Sequence, residues 1–424
     1  MTTPDSARTE WTVRGTDRDE YPRVARVIGE ALLVAEDLDA VVERVRPLHD
    51  AEGYERVRVA VDEVDGEERV VGATNHFPFE MTLPGGPRPV AGVTGVGVWP
   101  THRRRGVLSA LMRRQLADIH AAGGRYAALW ASEGAIYGRF GYGPAVSETE
   151  AHIARPHARL RPDAPRDPGL SVRLGYAAEF RADLEHVHGE AARTRLGQVP
   201  RTAHWWDRAL KDAPENRDGR SPKQAVVVRG PRGPVGYALY STRAKWDSDG
   251  PAGTVYVQEM RATAPAAWTL LYEHLLDRDL TARTEFEFLP VDDPLVHLLG
   301  NRDRLVREIF TSLWLRLVDV PGALSERTYT APVEAVLEVT DRYAPWNAGT
   351  WSLKAGTDGA RVEACDTAPD VTLDAAHLGA AYLGQTPLTG YAAAGLLTEH
   401  TPGALARLDA ALYRPDAAFN GTIF

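Results

Sequence analysis

Three consecutive arginines and a glycine, Arg103-Arg104-Arg105-Gly106, join an apolar run ending at Val98 to an amphipathic stretch beginning at Val107. The chemistry this arrangement suits is the holding of a pyrophosphate. Guanidinium groups are forked donors that match phosphate oxygens. Backbone N–H groups in a first helical turn have no acceptor within the helix and carry the positive end of its dipole. Glycine lets the main chain approach the ligand closely. Val107, Leu108, Leu111, Met112, Leu116 and Ile119 recur at helical spacing, so the turn is anchored by a helix with one core-facing side. Arg103, Arg104, Arg105, Gly106 and Val107 are therefore candidate anion-binding residues, although a solvated basic helix start would show the same run. His102 is open to two readings, a phosphate contact or a solvated loop residue.

Downstream, the apolar run Tyr126 to Trp130 leads into ASEGAIYGRFGYGPA (Ala131 to Ala145), and the chain closes on NGTIF with a terminal Phe424. Strand, Arg103-x-x-Gly106 and amphipathic helix resemble the acyl-CoA pyrophosphate loop of the GNAT N-acetyltransferases. One position departs from that pattern, since a small residue is usual where Leu108 stands. Taken with IYGRFGYG and the C-terminal phenylalanine, PTHRRRG resembles the Eis family of GNAT proteins. The resemblance implies an α/β (α+β) fold: two tandem GNAT-like mixed-sheet domains followed by a sterol-carrier-like α+β domain. It implies acetyl-CoA as cosubstrate, no metal, Tyr137 as general acid, the carboxylate of Phe424 as base, and assembly into homohexamers. GNAT folds further imply that the backbone of Val96 and Val98 pairs with the pantetheine arm. On the residues alone, Tyr142 competes with Tyr137 as proton donor, and valines at 96 and 98 are what any core strand would show. Ser132 is a further candidate at the cofactor, or else a cap, with Glu133, for the helix before Tyr137.

Composition narrows the class of ligand. With 49 basic and 58 acidic residues the net charge is −9, which favours cationic small molecules over nucleic acid. The single cysteine, Cys365, excludes an intramolecular disulfide and fits a reducing cytoplasm. No signal peptide or membrane-length apolar run is seen, so no membrane association is expected.

At 424 residues the chain exceeds what one core organises. Residues 1–155 read as the first, catalytic domain. Its expected elements are a strand at Trp11 to Val13, a helix at Tyr21 to Leu33 and a hairpin turning at Asp65-Gly66. A Gly/Pro loop at Pro84 to Pro89, the arginine turn, and a last strand near Ala145 to Ile153 follow. Four prolines between 156 and 168 predict a linker. Residues 156–310 repeat the plan, but Arg261-Ala262-Thr263-Ala264-Pro265 replaces the anion loop and contains no glycine, so CoA binding is not expected there. Residues 311–424 begin with alternating Leu313, Leu315 and Leu317 and carry the sterol-carrier-like domain, whose expected purpose is to deliver Phe424 to the first domain's site.

Acetyl transfer to an amine needs a group that takes the ammonium proton, donors at the carbonyl oxygen, and an acid for the departing thiolate. A lysine-like amine has a pKa of about 10.4, so a carboxylate that binds the cation is useful. The expected reaction is direct acetyl transfer, without an acyl-cysteine, to amino groups of aminoglycoside-like polycations. Ile423 precedes the terminus where an acidic residue would add a second anion, which leaves peptide or protein lysines and polyamines as alternative acceptors. Residues 31–50, with Glu36, Asp37 and Asp39, supply acid to the pocket or form a solvated helix face. Trp205 and Trp206 either line a pocket or pack in a core. A third alternative is a lipid-binding protein with a relict acetyltransferase site.

Overall fold

The computed structural model describes residues 11–424 apart from Glu36 and Asp65; those two positions, from the expected acidic stretch and hairpin turn, lie outside the described residues. Among the described residues two seven-stranded mixed sheets and one five-stranded sheet carry the fold, beside a two-stranded ribbon at 246–251. The first sheet runs, edge to edge, through Trp11–Gly15, Arg58–Val64, Glu67–Leu83, Gly86–Val98, Tyr126–Trp130, Leu313–Leu317 and Gly143–Pro144. The second runs through Val306–Thr311, Ser147–Ala154, Thr281–Pro290, Gly253–Ala262, Gly233–Arg243, Gln224–Gly230 and Ser171–Tyr176. The third is built from Gly359–Ala364, Gly349–Gly356, Val333–Thr340, Val371–Asp374 and Thr398–Glu399. This is the α/β architecture expected from the sequence: two GNAT-like halves and a sterol-carrier-like α+β domain.

The first two sheets exchange strands, which corrects two expectations. Ser147–Ala154 does not close the first sheet; it lies in the second, antiparallel to both Thr281–Pro290 and Val306–Thr311. Leu313–Leu317 does not open the third domain; it pairs with Tyr126–Trp130 in the first sheet. Alternation reveals that a segment is a strand, not which distant edge it will cover. Each half thereby covers an otherwise open edge in the other. The proline-rich stretch is no free linker either, because Ala158 and Ala164 are buried in the second domain's core and Leu160 bridges Leu299.

The Gly/Pro segment at 84–89 is the tip of a long hairpin, not a loop between elements: Glu67–Leu83 and Gly86–Val98 pair down to Leu83↔Gly86. Prolines 78, 87 and 89 stand within these strands. Past Thr74 the strand Glu67–Leu83 has lost its other neighbour, Arg58–Val64, so the missing amide of Pro78 breaks no ladder.

The third domain docks through close backbone contact. A Cβ at Gly379 would strike the Leu315 carbonyl, and one at Gly143 would strike the backbone of Ala376 and Ala380. Helix Ala375–Ala381 thus lies directly on the first sheet's edge. Buried Arg316 pairs with Asp341 at 2.5 Å across the same boundary. Leu313, Leu315 and Leu317 share one apolar core with Leu337, Leu353 and Leu373 of the third sheet. No helix among the described residues is long and apolar enough to cross a membrane.

Candidate active site

The site begins where two parallel strands stop pairing. Gly86–Val98 and Tyr126–Trp130 are in register only at Ala91↔Ala127 and Gly92↔Ala128, and beyond that point they diverge. On the outer side of Gly86–Val98 the ladder is interrupted as well. Pairing passes from Asn75↔Thr94 to Ala73↔Gly97, so Gly95 and Val96 stand opposite Thr74 alone. Such a bulge bends the strand, and Gly95 takes the positive φ of 59° it requires. The result is a fork whose open arm carries Val96 backbone groups outside the ladder, available to pair with a ligand laid along the strand.

The arginine turn closes the far end of the fork. Arg104 and Gly106 both adopt positive φ, 64° and 90°. Gly106 leads into helix Val107–Ala121 with no side chain capping its first turn, so its amides remain available to an anion. The helix is held by buried Val107, Leu111, Met112, Leu116 and Ile119. A cavity of about 650 Å³ spans fork and turn; its walls include Val96, Val98, Arg103, Arg104, Gly106 and Val107 on one side and Ser132 and Tyr137 on the other. Arg103 and Arg104 are exposed, and no carboxylate pairs with either among the described residues.

Arg105 stands apart from this group. It points away from the cavity wall, 3.9 Å from Asp62. The same carboxylate holds His102, whose Nε2 lies 2.8 Å from Asp62 Oδ2. His102 is 8% exposed, so it is a buried partner of Asp62 and not the solvated loop residue that sequence allows. It also contributes to the cavity wall beside Arg103, so Asp62 holds it where a phosphate contact stays open to it.

Across the cavity, Tyr137 ends the single-turn helix Gly134–Tyr137. Ser132 does not cap that helix, which begins after Glu133 with no side-chain cap; Ser132 and Glu133 instead face the cavity. Burial, reinforced by the charge of Glu133, pushes the Tyr137 phenol up to about 12. It is therefore a neutral O–H donor throughout the neutral range. Tyr142, its rival in the sequence, packs 6.1 Å from it ring to ring but is 0% exposed and absent from the cavity wall. Leu108, where the GNAT pattern has a small residue, lines the cavity too. Ala31 and Leu32, from the start of the 31–50 stretch, reach the wall without the acidic side chains expected of it, and Arg139, which no spacing signal marked, lines it beside Tyr137.

Three family models match successive parts of the chain: acetyltransferase (GNAT) domains over residues 12–145 and 197–317, and a sterol carrier protein domain over residues 320–420. The N-acetyltransferase Eis of Mycobacterium tuberculosis is 36% identical over 353 residues, 81% of this chain and 83% of that protein. The chain belongs to the Eis-type GNAT N-acetyltransferases. An uncharacterised N-acetyltransferase of Streptomyces coelicolor is 43% identical over 354 residues, 82% of this chain and 84% of the relative. The crystal structure of Eis1 from Mycobacterium abscessus superposes with a TM-score of 0.81 at 34% identity, covering 97% of this chain and 100% of that one. A GNAT-related structure from Kribbella flavida, at 23% identity and TM-score 0.76 over 98% of both chains, shares the fold. The fold points to an acyl-CoA cosubstrate, and the arginine turn, uncapped helix and open fork fit its diphosphate and pantetheine.

In this Eis-type enzyme the C-terminal segment is a built part of the interior. Trp130 donates from Nε1 to Asn420 Oδ1 at 3.0 Å, and Asn420 donates from Nδ2 to the Gly197 carbonyl at 2.7 Å. The amides of Asn420 and Gly421 both donate to Glu148 Oε1 at 3.0 Å. Phe424 is 8% exposed, its ring 4.9 Å from that of Phe79. A Cβ at Gly92 would come within 3.2 Å of it. Phe424 thus lies over the last paired position of the fork, although it is not among the residues lining the arginine cavity. Trp205 packs on Phe77 and Phe79 beside it at 5.5 and 5.3 Å, and Trp206 is buried against His188, so both tryptophans are core residues. Asp37 and Asp39 do not line the arginine cavity. Among the described residues no cluster of three His, Cys, Asp or Glu side chains is arranged for a metal.

Proposed function

We propose that the enzyme transfers an acetyl group directly from acetyl-CoA to amino groups of cationic small molecules of the aminoglycoside kind, with Tyr137 as general acid and the terminal carboxylate of Phe424 as base. The observation that carries this reading is the burial of Phe424 over Gly92, at the apex of the fork whose arms hold Val96 and lead to Tyr137. A terminal carboxylate that is largely removed from water is a stronger base than the solvated group, whose pKa is near about 3.5. There it can hold an ammonium and take its proton. The backbone of Val96 and Val98 orients the thioester and polarises its carbonyl. The Arg103–Gly106 turn and Val107 bind the diphosphate, and Ser132 lies beside the cosubstrate. Tyr137, kept protonated by burial, supplies a proton to the departing thiolate.

Peptide or protein lysines and polyamines share the same ammonium chemistry, and the absence of an acidic side chain at position 423 makes them the alternative acceptors. The lipid-binding alternative has less behind it: in the third domain Leu337, Leu353, Leu373, Leu378, Leu405 and Leu408 are buried in one apolar core. The reading carries with it a cytoplasmic homo-oligomer without nucleic-acid or membrane partners, as the family resemblance and composition imply.

The test is thiol release from acetyl-CoA with a panel of amines, using the native protein, a form lacking Phe424 and a form extended beyond it. Both altered forms should lose turnover while retaining acetyl-CoA affinity; an extended form with normal turnover would exclude the terminal carboxylate as base. In the same assay Tyr137→Phe should lower the rate by roughly 10²-fold, and Tyr142→Phe should leave it within a few-fold. The reverse outcome would exchange their roles.

A further inference from the structure

A second cavity, of about 450 Å³, lies at the seam between the two GNAT halves, and its charge is opposite to that of the molecule. Its walls come from helix Leu38–Glu52 of the first half and, in the second, from helix Ala203–Leu210, the segment that follows it, and the strands carrying Ser241 and Gln258. All three carboxylates in the wall are already neutralised. Glu43 pairs with Arg46 and Asp207 with Arg181, both arginines outside the cavity wall, and Asp212 pairs with Arg217 at 3.1 Å. Arg208, Arg220 and Lys223 have no carboxylate within ion-pair distance among the described residues. They are held by other means: Arg208 over the Trp205 ring at 5.2 Å, Arg220 over Tyr256 at 4.1 Å, and Lys223 by donating to the Ala209 carbonyl at 2.7 Å.

The cavity also has unmet hydrogen-bonding groups. Ser241, 3% exposed, has a hydroxyl with no protein partner, and the buried Gln258 Oε1 and Arg220 Nε have none either. Buried polar groups left without partners cost stability; Arg220 and Lys223 are half-buried beside them, and Arg208 is exposed at the rim. Burial lowers the pKa of Lys223, the direction a bound anion would reverse. The donors line one cavity from a helix, the segment after it and two strands, and three cations with a hydroxyl match the charge of a phosphoryl group better than that of a singly charged carboxylate. The volume is that of a small-molecule site, and in a chain of net charge −9 it is not part of a broad basic surface of the kind nucleic acid needs.

We propose that this seam cavity binds the phosphoryl group of a small organic phosphate, at a site separate from the acyl-CoA cleft. Arg208, Arg220 and Lys223 neutralise the phosphoryl oxygens, Ser241 donates to one of them, and Gln258 Oε1 accepts from a hydroxyl of the organic part. The inference does not depend on acetyl transfer.

Calorimetric titration of the full chain with glucose 6-phosphate, inorganic phosphate and glucose tests it, with CoA present at saturation so that the arginine turn of the first half is occupied. Saturable binding of either phosphate but not of glucose is expected. A stronger response to the ester points to a metabolite, and an equal response points to free phosphate as the source. Arg220→Gln and Lys223→Met should each weaken binding by roughly tenfold or more, as loss of one charge-assisted contact predicts. Lys223 also holds the Ala209 carbonyl, so Arg220→Gln, with an unchanged thermal midpoint, is the decisive variant. The proposal is overturned if neither phosphate saturates while CoA is bound, or if Arg220→Gln binds as the native protein does.

Discussion

The two GNAT halves contain the same fork and treat it in opposite ways. In the first, parallel pairing ends at Gly92↔Ala128, and the gap opens into a cavity edged by exposed arginines and an uncapped helix. In the second, pairing ends at Val257↔Phe286, but strand Gly253–Ala262 passes to helix Pro265–Leu276 through Thr263 and Ala264 alone. No loop is left there to cradle a diphosphate. The divergence is occupied by protein. Glu148 on one side accepts from the Asn420 and Gly421 amides, and Arg261 on the other stacks over Phe419 at 4.7 Å. The tail that plugs the second fork continues to the apex of the first, where it ends at Phe424. A duplicated fold therefore carries its chemistry in one turn of chain and not in the sheet. The half without that turn has become the support that aims the C-terminus.

The strongest way to break this comparison is to disturb the plug. Beneath the second fork, Glu259 is buried with Arg201 at 2.5 Å and receives the Tyr237 hydroxyl. Burial opposes ionisation of Glu259, but Arg201 and Arg261 outweigh it and hold the carboxyl below its usual range. Replacing Glu259 by Gln leaves the Arg201 charge buried without its counter-ion, and Arg201 also donates to Thr422 in the tail at 3.3 Å. A loss of about 3–5 kcal/mol in stability is expected, measured by denaturant unfolding, with acetyl-CoA affinity preserved in the folded fraction. Equal losses of stability and CoA affinity would mean the halves are not divided in function as described.

The next effect concerns the turn itself. Gly106 sits at φ 90° with only Trp11 near a Cβ placed there, at 3.8 Å. A valine is thus excluded by backbone strain and not by crowding. Gly106→Val should reduce acetyl-CoA binding by about 10²-fold, the cost of a few kcal/mol of strain plus lost amide contacts. Thr263→Gly in the second half should leave binding at one CoA per chain. Titration stoichiometry reads both outcomes, and a second site appearing in Thr263→Gly would show that the residues of the turn, not the plug, exclude CoA.

What was legible in the sequence was local. Arg103 to Gly106 followed by apolar residues at helical spacing announces a strand, an anion turn and a helix because those elements are set by residues within a few positions of one another. The missing glycine at 261–265 announced a half without the turn in the same way. Pairing over long separations left no such trace. Leu313, Leu315 and Leu317 alternate in any sheet, and nothing nearby tells that their partner is Tyr126–Trp130. Asp62, about forty positions upstream on a strand two places away in the sheet, holds His102 and lies 3.9 Å from Arg105, so the three arginines look alike until that carboxylate is placed. Tyr137 and Tyr142 are equivalent by residue type, and only burial separates them.

The smallest expected effect sharpens the comparison by pH. His188 lies in helix Arg181–Thr194 of the second half, 2% exposed, its ring 5.4 Å from that of Trp206. Burial, with the nearby Arg201 charge, lowers its pKa to about 3, whereas the unfolded chain titrates near about 6.5. Below that value the unfolded state binds the proton first, so the stabilisation is complete above about pH 6.5 and is lost as pH falls toward 3. At pH 5 the loss is at most about 2 kcal/mol. His188→Leu removes the titrating group, so the gap between its unfolding midpoints at pH 7 and pH 5 should be narrower than that of the native protein, while acetyl-CoA affinity at pH 7 is unchanged. Buried His49 and half-buried His76 in the first half and His274 in the second, each lowered to about 4 by burial, remain in the variant and contribute to the acid sensitivity that persists. An undiminished gap in His188→Leu would mean that the ring beside Trp206 takes up its proton in the folded state, and that the support half is wetter beneath its helix than the packing there allows.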